Sequence, residues 1–225
     1  MAVSLVQAVA GTGASATLTL PGVVSQNTLI CEIRIGALGA TVTVSDSVNG
    51  SWSQASAQPQ TTDGDTLYVF YLARTASGSP LITVSTSGGS VRLNASEWSG
   101  LAASPLGVSS GVDGGSGGPV DSGAISVTAG DLVFGAAGNS NSVAASWTAG
   151  GTSAGGTWAV VNTYNDVNHQ VMSQYVVATA TGSYSSFPTQ ASFTFCTSQV
   201  IQFKAPSVSA ASVMLPMGML GTGRV

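Results

Sequence analysis

Short stretches in which apolar and polar residues alternate, each bounded by Gly, Asn, Asp, Ser or Pro, recur from one end of this chain to the other. That period of two is the signature of β-strands, and no segment of comparable length shows the 3.6-residue spacing of a helix. The segments are Val3 to Val9, Ala16 to Leu20, Thr28 to Ile35, Thr41 to Ser45, Thr66 to Arg74, Leu81 to Ser85 and Val91 to Trp98. After a gap they resume at Ala124 to Val127, Asp131 to Ala136, Trp158 to Tyr164, Val171 to Thr179, Ser183 to Phe187 and Phe193 to Phe203. In the third, Leu29, Cys31, Ile33 and Ile35 alternate with Ile30, Glu32 and Arg34, which predicts one buried face and one half-polar, wet face. A single open sheet of so many twisted strands would curl or split. The expected fold is therefore all-β, a two-sheet antiparallel β-sandwich of jelly-roll-like form. A β-propeller would need a repeat of about 40–50 residues, and no regular one is visible.

A length of 225 residues fits one all-β domain with a single core. Residues 1–204 are expected to form that domain. The longest break in the pattern, Ser104 to Gly123 (SPLGVSSGVDGGSGGPVDSG), is expected to be a surface loop, because two separate small cores would each be marginal. Residues 205–225 form an apolar, Met-rich tail beyond the last strand.

Only five Lys+Arg and nine Asp+Glu are present, giving a net charge of −4. The basic residues Arg34, Arg74, Arg92, Lys204 and Arg224 are scattered, whereas phosphate neutralisation needs them clustered. Nucleic acid and anionic membrane surfaces are disfavoured as partners. No run approaches the roughly 18–20 apolar residues of a membrane span, and the start, MAVSLVQAVAGTG, lacks the basic n-region of a signal peptide. Two cysteines, Cys31 and Cys196, are too few for a disulfide framework and read as buried hydrophobes, with a single bridge as the alternative.

Each chemical motif has a plain structural reading beside it. Gly151-Thr152-Ser153-Ala154-Gly155 matches G-x-S-x-G, and Asp166 and His169 follow in hydrolase order, but the nucleophile elbow needs a strand running into a helix and here another β segment follows. Gly11-Thr12-Gly13-Ala14-Ser15-Ala16 imitates a dinucleotide fingerprint without the crossover helix. Glu32 and Glu97, the two glutamates, have nothing in the sequence to bring them together as a glycosidase pair. Asp63-Gly64-Asp65 reads as an Asx-type turn rather than a calcium loop. One His and two distant Cys do not make a transition-metal site. The expectation is a protein with no catalytic residues, no metal and no cofactor. Among the aromatics, Trp98 and Trp158 lie in strand patterns and are expected in the core; Trp52 and Trp147, near turns, are the candidate exposed glycan contacts.

The runs VTVSDSVNGSW (Val42 to Trp52), LYVFYLAR (Leu67 to Arg74), SEWSGL (Ser96 to Leu101), SPLGVSSG (Ser104 to Gly111) and DLVFGAA (Asp131 to Ala137) resemble a β-sandwich domain of unassigned function. That domain recurs in large secreted bacterial surface proteins and in phage-encoded particle proteins. The resemblance implies a fold and a surface setting and brings no catalytic residues with it.

The tail APSVSAASVMLPMGMLGTGRV lies outside the resemblance. It groups Val213, Met214, Leu215, Met217, Met219 and Leu220 with Arg224 as its one charge, whereas a solvated tail should be polar. Pro216, Gly218 and Gly221 oppose a helix, so an extended assembly contact is expected, with folding back along its own sandwich as the alternative. Covalent wall anchoring is not expected, because Leu215-Pro216-Met217-Gly218-Met219 lacks the Thr-Gly of a sortase signal and is followed by neither a membrane segment nor a basic end. The expected protein is a non-enzymatic phage virion component at the particle surface, head-decorating or fibre-like. Its expected partners are other virion proteins, copies of itself or host-surface glycans. The alternative is a secreted bacterial adhesion or carbohydrate-binding module, extracellular or at the cell surface. A chain starting at Met1 without an export signal favours the virion.

Overall fold

Thr28–Ile35 does extend as a strand with alternate side chains on opposite faces, but all eight of its residues are buried. The reason is layering. The computed structural model describes residues 1–12, 14–140, 146–166 and 169–207, and these contain sixteen strands and no helix. The first nine are β1 (Ser4–Ala10), β2 (Thr17–Thr19), β3 (Thr28–Ile35), β4 (Val42–Asp46), β5 (Gly50–Ser51), β6 (Ser53–Gln60), β7 (Asp65–Leu72), β8 (Leu81–Thr86) and β9 (Val91–Ser99). The other seven are β10 (Leu106–Ser116), β11 (Ile125–Val127), β12 (Leu132–Ser140), β13 (Ala159–Asp166), β14 (His169–Val177), β15 (Gly182–Tyr184) and β16 (Phe195–Phe203).

Four antiparallel sheets result. Two five-stranded sheets, β1-β9-β3-β7-β6 and β10-β16-β12-β14-β13, stand against each other, and smaller sheets, β2-β8-β4-β5 and β11-β15, cover their outer faces. A sheet that is apolar on both faces must be covered on both, so the single expected core is replaced by several. Leu29, Cys31, Ile33 and Phe70 meet Ile82 and Val84 under the four-stranded sheet. Ile30, Val69 and Trp98 meet Phe134, Ile201 and Phe203 between the large sheets. Val133, Val176 and Val200 meet Ile125 and Tyr184 under the small sheet.

The two large sheets are wired identically. Replacing β1, β9, β3, β7 and β6 by β10, β16, β12, β14 and β13 converts one order into the other, and β2-β8 converts in the same way into β11-β15. The correspondence extends to register: Tyr71 lies opposite Ile30, and Tyr175 opposite Phe134. Trp98 lies opposite Thr28, and Phe203 opposite Leu132. Even a β-bulge recurs, between Gln54 and Ser56 on β6 and between Val160 and Asn162 on β13. One polar pair recurs with acid and amide exchanged, Asn27 donating to Glu97 at 2.7 Å and Gln202 donating to Asp131 at 2.6 Å. The described residues form two copies of one sandwich unit, docked large sheet to large sheet.

This doubling corrects two sequence expectations. The half-polar face of β3 is not wet, because it meets the other half. Most of the expected loop at 104–123 is the edge strand β10, which has eleven residues and is held by the backbone ladder to β16. Its Gly and Ser residues suit close packing rather than solvent: a Cβ at Gly111 would stand 2.5 Å from Gln58 Oε1 of the first half.

Candidate functional site

The two tryptophans expected to bind glycans are inside. Trp52 is 7% exposed because its indole N–H donates to the Asp46 carboxylate at 2.7 Å. The same carboxylate accepts from the backbone N–H groups of Val48 and Asn49, so the Asp-Ser-Val-Asn-Gly-Ser-Trp turn folds the ring back over the sheet. Trp147 is 8% exposed and packs edge-on against Phe193 at 6.1 Å. Trp98 is fully buried as expected, while Trp158 is only partly buried.

Ser153 closes a turn, its hydroxyl donating to the Gly156 carbonyl at 3.0 Å and accepting from the Gly155 N–H. Gly151 is required by packing: its φ is +152°, and a Cβ there would collide with the Ser185 carbonyl. Asp166 and His169 face each other across the β13–β14 hairpin, where Asp166 binds the Arg92 guanidinium at 3.2 Å and the Tyr164 hydroxyl at 3.2 Å. The serine motif is thus explained by turn geometry and the acid by an ion pair. Glu97 accepts from Gln7, Asn27 and the Val24 N–H, whereas Glu32 faces the other half of the molecule beside Asn94. Both cysteines are free and buried. Burial raises both thiols, that of Cys196 to about 12. Among the described residues no group of three or more His, Cys, Asp or Glu is placed to hold a metal ion.

One polar cluster joins the halves. Arg34, 2% exposed, donates to the Asn139 carbonyl at 2.5 Å, to Asp63 at 3.1 Å, and to Asp65 and Ser140. The Asp63-Gly64-Asp65 turn therefore presents its carboxylates to a guanidinium. Burial raises the Asp65 carboxyl against the opposing pull of Arg34, and burial together with Arg34 and Arg92 lowers His169. Arg34, Asp63 and Asp65 come from the first half and Ser140 from the second, so the cluster is a clamp.

At the root of the tail lies the concavity best suited to contact another chain segment. Met1, Val6, Val24, Leu101 and Pro206 supply its apolar wall, with Gln26 and Arg74 among its polar lining. Met1, Val6 and Val24 are exposed by 99%, 46% and 53%. Gln26 and Arg74 both have left-handed backbones, with φ of 69° and 54°, and their side chains meet at 3.1 Å. No residue type signals this geometry, so the groove was invisible in the sequence. The tail root is fixed beside it by Lys204 N–H to Pro105 O at 2.6 Å and Ala205 N–H to Asp131 at 2.8 Å. The expected assembly residues Val213, Met214, Leu215, Met217, Met219 and Leu220 lie outside the described residues. Compared with known protein families, curated proteins and solved structures, the chain matches none.

Proposed function

We propose that this chain is a non-enzymatic structural protein of a phage virion, a head-decorating or fibre-like surface component whose apolar tail contacts neighbouring virion proteins. The observation that carries this reading is the doubled sandwich: two units whose large sheets are identically wired are held face to face by reciprocal aromatic contacts and a buried ionic clamp. Such an assembly is a rigid spacer with broad, nearly uncharged surfaces. Among the described residues, its ion pairs join charges of its own fold, Arg34 with Asp63 and Asp65, and Arg92 with Asp166. We read each half as a jelly roll. In the first half the chain alternates between sheets, with β1, β3, β6, β7 and β9 in the large one and β2, β4, β5 and β8 in the small one, as a double Greek key requires. The adhesion alternative loses its proposed sugar contacts with the burial of Trp52 and Trp147.

The test is reconstitution. Purified protein added to particles lacking it should bind to saturation at a fixed number of copies, and protein truncated after Ser207 should not. Equal binding of the truncated protein would contradict the tail's role, and no saturable binding of either would contradict the virion reading.

A further inference from the structure

The approximate two-fold relation between the halves has a consequence for the chain's end. The linker after β9 carries the chain from the first half into the second, and the equivalent exit after β16 returns it to the first half, where Pro206 forms part of the same groove as Met1, Val6 and Val24. The stretch Ser207 to Ser212 reaches at most roughly 20 Å when extended, enough to turn back into a groove whose wall Pro206 already forms. A tether this short presents the following residues at an effective concentration of about a millimolar. Those residues are Val213, Met214, Leu215, Met217, Met219 and Leu220, and the exposed groove side chains opposite are aliphatic. Nor does charge oppose the match. Among the described residues Arg74 is the one charged side chain lining the groove, and it is already bonded to Gln26. The tail's sole charged side chain, Arg224, lies beyond its apolar run.

We propose that Val213 to Leu220 docks in this groove of its own chain, so that the free subunit stores its assembly contact until a neighbour displaces it. Displacement by a neighbour rests on the virion reading; the docking does not.

Cross-linking of the purified full-length protein with a short bismaleimide tests it. The double variant Val24→Cys/Met217→Cys should give an internally bridged monomer, and an equimolar mixture of the two single variants should give no dimer. The native Cys31 and Cys196 are buried and serve as a silent background. In parallel, chymotrypsin should cut after Leu220, which Gly221 follows, about tenfold faster in Val24→Asp than in the parent, in proportion to the released population. Val24 is more than half exposed, so this change leaves the sandwich folded. Dimers from the mixed single variants, or the absence of a bridge together with unchanged cleavage, would overturn the docking. Neither result would bear on whether the protein binds particles, which reconstitution reads separately.

Discussion

Trp98 packs edge-on against Tyr175 across the junction of the two halves, with ring centroids 5.0 Å apart at 70°. The equivalent residues with halves exchanged, Tyr71 and Phe203, repeat the contact at 5.7 Å and 67°. Such reciprocity is the mark of an isologous interface, here formed within one chain. Trp98 and Phe203 also share Phe134 as an edge-on neighbour. Trp98→Ala should therefore cost about 3–5 kcal/mol, with Phe203→Ala comparable. The double variant should depart from additivity because the two sites share a partner. Urea unfolding of the three variants checks this, and strict additivity would argue against a shared central core.

Glu32 is buried at the same junction, and burial raises its carboxyl from 4.5 to about 8, against the opposing hydrogen bond from Asn94. A carboxyl raised in the fold binds its proton more tightly there than in the unfolded chain. Its contribution to stability is fully present below about pH 4.5 and is lost as pH rises through about 8. Glu32→Gln keeps the neutral form at every pH. The Tm advantage of the variant over the parent should grow between pH 5 and pH 9; a constant difference would place Glu32 in a solvated site instead.

Arg34 neutralises two carboxylates and reaches the Asn139 carbonyl and Ser140 hydroxyl of the other half. Removing one partner of a buried ion pair leaves the other uncompensated, so Arg34→Ala should cost about 3–5 kcal/mol. Adding Asp65→Asn should recover part of that loss. A cost below about 1 kcal/mol, the range of surface pairs, would show that water enters the cluster.

Gln26 and Gly130 occupy equivalent turns before β3 and β12, each with a positive φ, 69° and 96°. Their N–H groups donate to Thr75 O at 2.8 Å and Ala178 O at 2.7 Å. The left-handed conformation costs a non-glycine residue roughly 1–2 kcal/mol. Gly130→Ala should destabilise by about that amount, whereas Gln26→Gly should be neutral or stabilising. Thermal unfolding of the two variants would refute the equivalence if the signs were reversed.

Thirteen of the sixteen strands were legible as period-two runs, and the three that were not have physical reasons. β6, Ser-Gln-Ala-Ser-Ala-Gln-Pro-Gln, is an edge strand whose exposure tolerates polar side chains and Pro59. β10 is Gly- and Ser-rich because backbone pairing with β16 defines it, and β5 spans only Gly50–Ser51. The doubling was hidden by substitution within conserved geometry, since Trp98 answers to Phe203, Glu97 to Gln202 and Asn27 to Asp131. Trp52 read as exposed because a turn precedes it; that turn supplies the Asp46 carboxylate that buries its indole. The groove depends on which loops the doubled fold brings together, information that no local window contains.

The most direct test of the proposed function is mass spectrometry of intact virus particles after density-gradient purification and a high-salt wash. The account predicts that this protein bands with the particles at a constant copy ratio to the major head protein across the peak. Its recovery only in the soluble fraction, with particle-banded material free of it, would contradict the account.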